Sequence, residues 1–202
     1  GALNSGYLTA GDIKYQDTNG DGQITDADKR RLGKSGKPRG QFGINLNMSY
    51  KGFYLSALFQ GSTKFNMYVA GSLGMQTGQT YGMPVAYDYQ TDFWTPDNRD
   101  AQYPRLMANT ALNQNNNYAS SDFWLINGAY LRMKDFQFGY DFKYSLLKNV
   151  SWLTRCKMGI SGQNIFTISQ ATKYGMDPEP SDTNYYGYPV ERTIALTLNL
   201  GF

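Results

Sequence analysis

The sequence predicts an all-β chain whose strands suit a transmembrane antiparallel β-barrel. Three observations carry the expectation. Side chains alternate between two chemical classes over several short segments, the connections between those segments are alternately short and very long, and one face is aliphatic in mid-strand with aromatics at its ends. Alternation alone fits a soluble sandwich as well. The faces and the connections tip the balance toward a barrel.

The first strand is expected at 41–50, where Phe42, Ile44, Leu46, Met48 and Tyr50 share one face and Gly43, Asn45, Asn47 and Ser49 the other. Lys51-Gly52 is a two-residue turn signal. After it, Phe53, Leu55, Ala57 and Phe59 alternate with Tyr54, Ser56, Leu58 and Gln60, a strand over 53–60 that could run on to 70. Next comes a connection of 68 residues, 61–128, rich in Gly, Asn, Gln, Tyr and Pro. Its ends, Lys64 to Ala70 and Ser121 to Asn127, could pair above the hairpin. The third strand, 129–142, sets Phe136, Phe138, Tyr140 and Phe142 on one face, while Leu131 and Met133 hold the opposite phase. One extra residue near Lys134-Asp135 reconciles the two halves as a bulge. Lys143 to Leu153 is a short connection in which Leu146, Leu147 and Val150 could form one helical turn. The fourth strand lies within 153–166, with Cys156, Met158 and Ile160 on one face. After the loop 167–189, the last strand, within 190–202, alternates Ile194, Leu196, Leu198, Leu200 and Phe202 with Thr193, Ala195, Thr197, Asn199 and Gly201.

The opposite faces are small or amide residues without the Lys/Glu mixture that solubilises a sandwich; they suit a water-filled or plugged lumen. Composition agrees: charged residues are 17% and aromatics 15%, with 17 Tyr, where a soluble domain carries roughly 25% charge. The net charge of +3 is too small to argue for nucleic acid. With no His, Ser/His/Asp and Cys/His relays and His-ligated zinc are excluded, so no enzyme is expected. Cys156, the single cysteine, reads as a small buried hydrophobe. No stretch approaches the roughly 20 apolar residues of a spanning helix, and Gly1 to Thr9 lack the pattern of a signal peptide.

One segment carries metal chemistry. Residues 17–28 place Asp17, Asn19 and Asp21 at alternate positions, then Gly22, the Gln23 carbonyl, Ile24 and finally Asp28. Oxygen donors at that spacing, with Gly at the sharp turn, can wrap a calcium ion. The final Asp in place of Glu departs from the EF-hand pattern and matches dockerin-type loops. The simpler possibility is an Asp/Asn/Gly turn without an ion. Asp28 to Leu32 could start a short helix. A second segment, 94–105, offers Trp94, Tyr103 and Arg105 to stack on sugar rings and grip hydroxyls or carboxylates. Trp94, Pro96 and Pro104 could equally anchor the loop, and anchoring is the favoured expectation. Tyr81, Tyr87, Tyr89, Tyr185, Tyr186 and Tyr188 could line a path or meet a partner. Asp177 and Glu179 make no convincing glycosidase dyad.

Seven segments, GDIKYQDTNGDGQIT (11–25), KGFYLSALFQGS (51–62), DFWTPDNRDAQYPR (92–105), WLINGAYLRMKDFQFGY (124–140), GQNIFT (162–167), DPEP (177–180) and LTLNLGF (196–202), occur in order. Together they resemble the C-terminal part of SusC/RagA-like TonB-dependent transporters of the Bacteroidetes outer membrane. That resemblance implies a barrel of about 22 strands, of which this chain supplies about five, with the plug and the TonB-contacting segment outside these residues. It further implies import of glycan or peptide captured with a SusD-like surface lipoprotein. The ending in Phe202 resembles an outer-membrane assembly signal at the periplasmic side. By parity, residues 1–40 with the calcium-like motif, 61–128 and 167–189 are then extracellular. The alternative is a soluble secreted calcium-dependent carbohydrate-binding β-domain, separable from the transporter by fractionation.

Overall fold

A computed structural model of the chain describes residues 7–33, 36–68, 91–106, 116–179 and 190–202. Ala70, Pro180 and the six loop tyrosines named above lie outside the described residues. Contacts divide the described chain into two units: residues 36–66, 127–179 and 190–202 form one, and 7–33, 67–68, 91–106 and 116–126 the other.

The first unit is built on a single antiparallel sheet. Strand β1 spans Gly40–Tyr50 and β2 Phe53–Thr63. Lys51 and Gly52 between them both take positive φ, 47° and 91°, the two-residue hairpin turn whose twist matches the strands. Short strands β3 (Asn66–Tyr68) and β4 (Leu125–Asn127) pair with each other as a separate ribbon. They fall on the two segments expected to pair above the hairpin. Strands β5 (Tyr130–Asp141), β6 (Arg155–Gln163), β7 (Thr167–Ser169) and β8 (Thr193–Gly201) complete the set. Sheet order is β1-β2-β5-β6-β8, with β7 on β5. β1 and β8 are the ends of that order. The remaining described elements are short 3-10 turns, and no helix among the described residues is long and apolar enough to cross a membrane.

Register explains the phase change in β5. Leu58 faces Asp135 and Phe59 faces Met133, so Lys134 is the residue skipped. The expected strand 153–166 starts at Arg155 and breaks at the same height: Asn164 adopts φ 52° and donates to the Lys134 carbonyl at 3.1 Å. Two expected helical turns move. In the short connection the turn forms at Phe142–Tyr144, because the Asp141 side chain caps the Lys143 N–H at 3.0 Å and starts it early. After the acidic loop the turn is Asp26–Asp28, and the chain is already extended at Lys29. A reciprocal capping box between Thr25 and Asp28 fixes that earlier start.

Few side chains are buried behind the sheet. Both its faces are largely open, and most of the buried apolar residues among those described, including Phe65, Met67, Trp124, Ile126, Leu153, Tyr174 and Met176, lie off the five long strands. A sandwich needs a second sheet across a core about 10 Å thick. The described residues of this unit supply no such layer.

Candidate membrane face and loop sites

Cross-strand register turns the alternation of each strand into continuous rows. On one face Met48, Leu55, Phe138, Ile160 and Leu196 stand side by side across five strands; the rows flanking it run Leu46, Ala57, Phe136, Gly162, Ile194 and Tyr50, Phe53, Tyr140, Met158, Leu198. Leu196 is 86% exposed and Ile194 68%. An apolar surface of that continuity is out of place in water. Aromatics gather at the end near the short connections: Phe53 packs edge-on to Tyr140 at 4.7 Å, and Trp152 stacks on Phe202 at 5.9 Å. The arrangement fits a lipid band with an aromatic girdle.

The opposite face is polar and low in relief. Its rows read Asn47, Ser56, Gln137, Ser161, Ala195 and Ser49, Tyr54, Gly139, Gly159, Thr197. Tyr54 lies across the glycine pair, so that a Cβ on either Gly139 or Gly159 would strike its hydroxyl. Lys157 Nζ sits 5.4 Å from the Tyr54 ring centre.

In the second unit the acidic loop is wound by its own carboxylates. Asp17 accepts from Gly20 N at 2.6 Å and Gly22 N at 2.8 Å, Asn19 Oδ1 from Asp21 N at 2.9 Å, and Asp21 Oδ1 from Gln23 N at 2.8 Å. Gly22 has φ 78°. Asp28 closes the loop: its carboxylate accepts from Thr18 N and Thr25 N, both at 2.8 Å. Those N–H groups, Thr25 first, hold the Asp28 carboxyl below the usual carboxylate range. No three acidic, His or Cys side chains converge among the described residues. Asp17 and Asp21 nevertheless keep spare lone pairs, since an ionised carboxylate accepts about four bonds. With the Asn19 amide oxygen and the Gln23 carbonyl, they form a donor set of hard oxygens that fits calcium chemistry.

Trp94, Tyr103 and Arg105 are brought together, but around the chain's own backbone. Trp94 N donates to the Tyr103 carbonyl at 2.9 Å, and Arg105 N to the Gly11 carbonyl at 2.9 Å. The indole of Trp94 lies on Gly11, which has φ 90° and no room for a Cβ. Tyr103 is buried at 7% exposure. The Arg105 guanidinium grips Asp12 through Nε at 2.8 Å and Nη2 at 3.0 Å. Asp12 also accepts from Thr9 N at 3.0 Å and Asn117 Nδ2 at 2.9 Å. Burial pushes the Asp12 carboxyl up, but the Arg105, Thr9 and Asn117 hydrogen bonds and the guanidinium charge together bring it below its ordinary value. Asn116 and Asn117, both buried, tie this knot to Ile13 and to the Trp124 indole at 2.9 Å. Sequence reasoning missed Asp12, Asn116 and Asn117. Their partners lie about a hundred residues away in the chain, and no local pattern marks them. Gly11 to Lys14, Trp94, Ala101 to Pro104 and Phe123 border an open concavity of ≈ 430 Å³.

Comparison with known proteins places this geometry. No family model matches the sequence. TonB-dependent receptor P3 of Formosa agariphila is 28% identical over 216 aligned residues, covering 100% of this chain and 20% of the receptor. TonB-dependent receptor P26 of the same organism is 28% identical, covering 95% of the chain and 20% of the receptor. Among solved structures, that of the RagAB peptide transporter superposes with a TM-score of 0.57 at 20% identity, over 91% of this chain and 20% of that one. The RagAB peptide importer in its open-open state gives 0.57 at 20% identity over 95% of the chain. These relatives are receptors and importers, not enzymes, and TonB-dependent receptors reside in the outer membrane. With its antiparallel all-β fold and one apolar face, the chain is a homologue of the TonB-dependent receptors of Bacteroidetes, of whose length it spans about a fifth.

Proposed function

We propose that the chain forms part of the barrel wall of an outer-membrane, TonB-dependent nutrient importer that takes up glycan or peptide fragments with a SusD-like surface lipoprotein. The observation that carries this proposal is the pair of faces on one sheet: unbroken apolar rows outward and amide, hydroxyl and glycine rows inward. Homology along the whole chain supports it, and the importer named in the solved relatives acts on peptides. Among the described residues β1 and β8 pair on one side only, as suits a wall whose neighbouring strands come from elsewhere in the importer. In the test, membranes from cells making the whole polypeptide are washed at high pH and fractionated. Retention in the outer membrane is expected, with loss of growth on a defined peptide or oligosaccharide mixture when the gene or TonB is deleted. Release as a soluble protein would support the carbohydrate-binding alternative instead.

We further propose that Asp17, Asn19, Asp21, the Gln23 carbonyl and Asp28 hold a structural calcium ion in an extracellular loop. Trp94, Tyr103 and Arg105 serve there as anchors of the 92–105 loop. Calorimetry with the calcium ion should show binding to the wild type and none to the Asp17→Ala/Asp21→Ala double variant. Undiminished binding removes these ligands.

A further inference from the structure

Where β5 passes above its bulge, the inner face of the first unit carries a buried charge cluster. Arg132 is 2% exposed, and the register sets it beside Gln60 on one side and Thr167 on the other. Its guanidinium is used on three edges: Nε donates to Thr167 Oγ1 at 2.8 Å, Nη1 to Glu179 Oε2 at 2.6 Å and Nη2 to Asp177 Oδ1 at 2.6 Å. Lys134 Nζ, from the bulge itself, reaches the same Glu179 oxygen at 2.8 Å. Two cations meet two carboxylates, so the cluster carries no net charge.

The carboxylates belong to a segment that has left the sheet. After β7 the chain makes a 3-10 turn, Ala171–Tyr174, closed by Gly175 at φ 67° with Met176 N donating to the Ala171 carbonyl at 3.1 Å. Ala171, Tyr174 and Met176 are buried. Gln170 Oε1 accepts from Asn127 N at 2.9 Å, and Glu179 N donates to Asp177 Oδ1 at 2.9 Å. No ladder holds residues 170–179. Their attachment is packing, the Asn127–Gln170 hydrogen bond at one end and, at the other, the Arg132 fork with the Lys134–Glu179 pair beside it.

We propose that Arg132 is a positioning residue that clamps residues 170–179 as a fixed strap against the inner face of the wall, holding one side of the channel mouth in constant shape. The clamp is a property of this chain; only its place at a channel mouth rests on the importer function proposed above. A planar fork explains why Arg stands here. Lysine offers a point charge that cannot hold two carboxylates and a hydroxyl in one plane. Removing both carboxylates leaves the buried Arg132 charge without an ionic partner, and removing Arg132 leaves Asp177 unpaired and Glu179 held by Lys134 alone; either change frees the strap from the wall.

The test uses the complete polypeptide purified in detergent, with trypsin cleavage after the exposed Lys173 followed by mass spectrometry. Folded barrel is monitored in parallel by its heat-modifiable gel mobility. Proteolysis of an ordered segment follows its opening equilibrium. Arg132→Met should raise the Lys173 cleavage rate by about tenfold or more with barrel melting unchanged, and Arg132→Lys should give an intermediate rate. Asp177→Asn/Glu179→Gln leaves β5 intact and, because it also removes the Lys134–Glu179 pair, should cleave at least as fast as Arg132→Met. The triple variant should cleave no faster than Asp177→Asn/Glu179→Gln, because that double variant already removes everything Arg132 holds through the carboxylates. Cleavage unchanged in both Arg132→Met and Asp177→Asn/Glu179→Gln overturns the proposal. So does a triple variant whose acceleration is the product of the two, or a rise in cleavage that only tracks loss of the barrel. Because cleavage is read without transport, failure of the import experiment leaves this result standing on its own.

Discussion

Asp12 shows how much of a loop can hang on one carboxylate. Two guanidinium nitrogens, a backbone amide and an asparagine amide converge on it. Removing it leaves Arg105 half-buried and unpaired, so Asp12→Ala should destabilise the 92–105 loop by about 2 kcal/mol, seen as faster hydrogen exchange at Trp94 and Arg105. The pH dependence has a definite sign. The folded carboxyl titrates below its unfolded value near 3.9, so its contribution is complete above that pH and disappears as pH falls through the lower folded value. Protection factors at Trp94 and Arg105 should be flat from pH 7 to pH 5 and fall below about pH 4. A fall centred near neutrality would assign the loop's stability to another group. Trp94, Tyr103 and Arg105 were legible as a cluster because Pro and aromatic residues crowd one short stretch. That the cluster faces Gly11 and Asp12 was not legible, since chain closure over such distances leaves no periodic trace.

At the scale of an element, the two faces of β8 make the sharpest comparison. Leu196→Arg should cost about 2 to 4 kcal/mol at mid-depth in lipid, whereas Thr197→Arg, on the inner face, should cost little. The folding midpoint in urea with lipid vesicles measures both, and equal costs would deny that the faces differ in solvent. Across the sheet, Gly139→Ala would drive a methyl into the Tyr54 hydroxyl and the Met158 carbonyl; about 1 to 3 kcal/mol is the usual cost of such overpacking. The same urea titration reads it. A drop at Gly139→Ala that is relieved in Gly139→Ala/Tyr54→Ser would assign the strain to the ring. Strands were legible because a half-buried sheet imposes a period of two on its residues. Helical turns were not, because both are set by a single capping carboxylate, Asp141 or Asp28, rather than by any repeat.

At the largest scale, the unit built on the sheet has an end strand on either side and, among its described residues, little interior of its own. Residues 36–202 produced alone in water should aggregate, and sedimentation of a soluble monomer would contradict the membrane face. The long connections between β2 and β5 and between β7 and β8 were visible in the sequence as asymmetry. How their described residues are held was not, because that rests on buried asparagines and on ion pairs between distant residues, as in the Asn116–Ile13 and Arg132–Asp177 contacts.

The skipped residue in β5 sets a reading frame for that strand. Below Lys134 the even-numbered residues face lipid, and above it the odd-numbered ones do, with Leu131 and Met133 continuing the surface begun by Phe136 and Phe138. Deleting Lys134 alone would remove the bulge and join Met133 to Asp135, leaving Leu131 and Met133 toward lipid and Arg132 inward. With the bulge kept, a residue inserted beside Lys134 would instead turn Leu131 and Met133 inward and deliver Arg132 to the bilayer. Such a one-residue insertion acts like several opposing substitutions at once, and its expected phenotype is failure of barrel assembly, whereas the deletion should cost only a modest loss of stability.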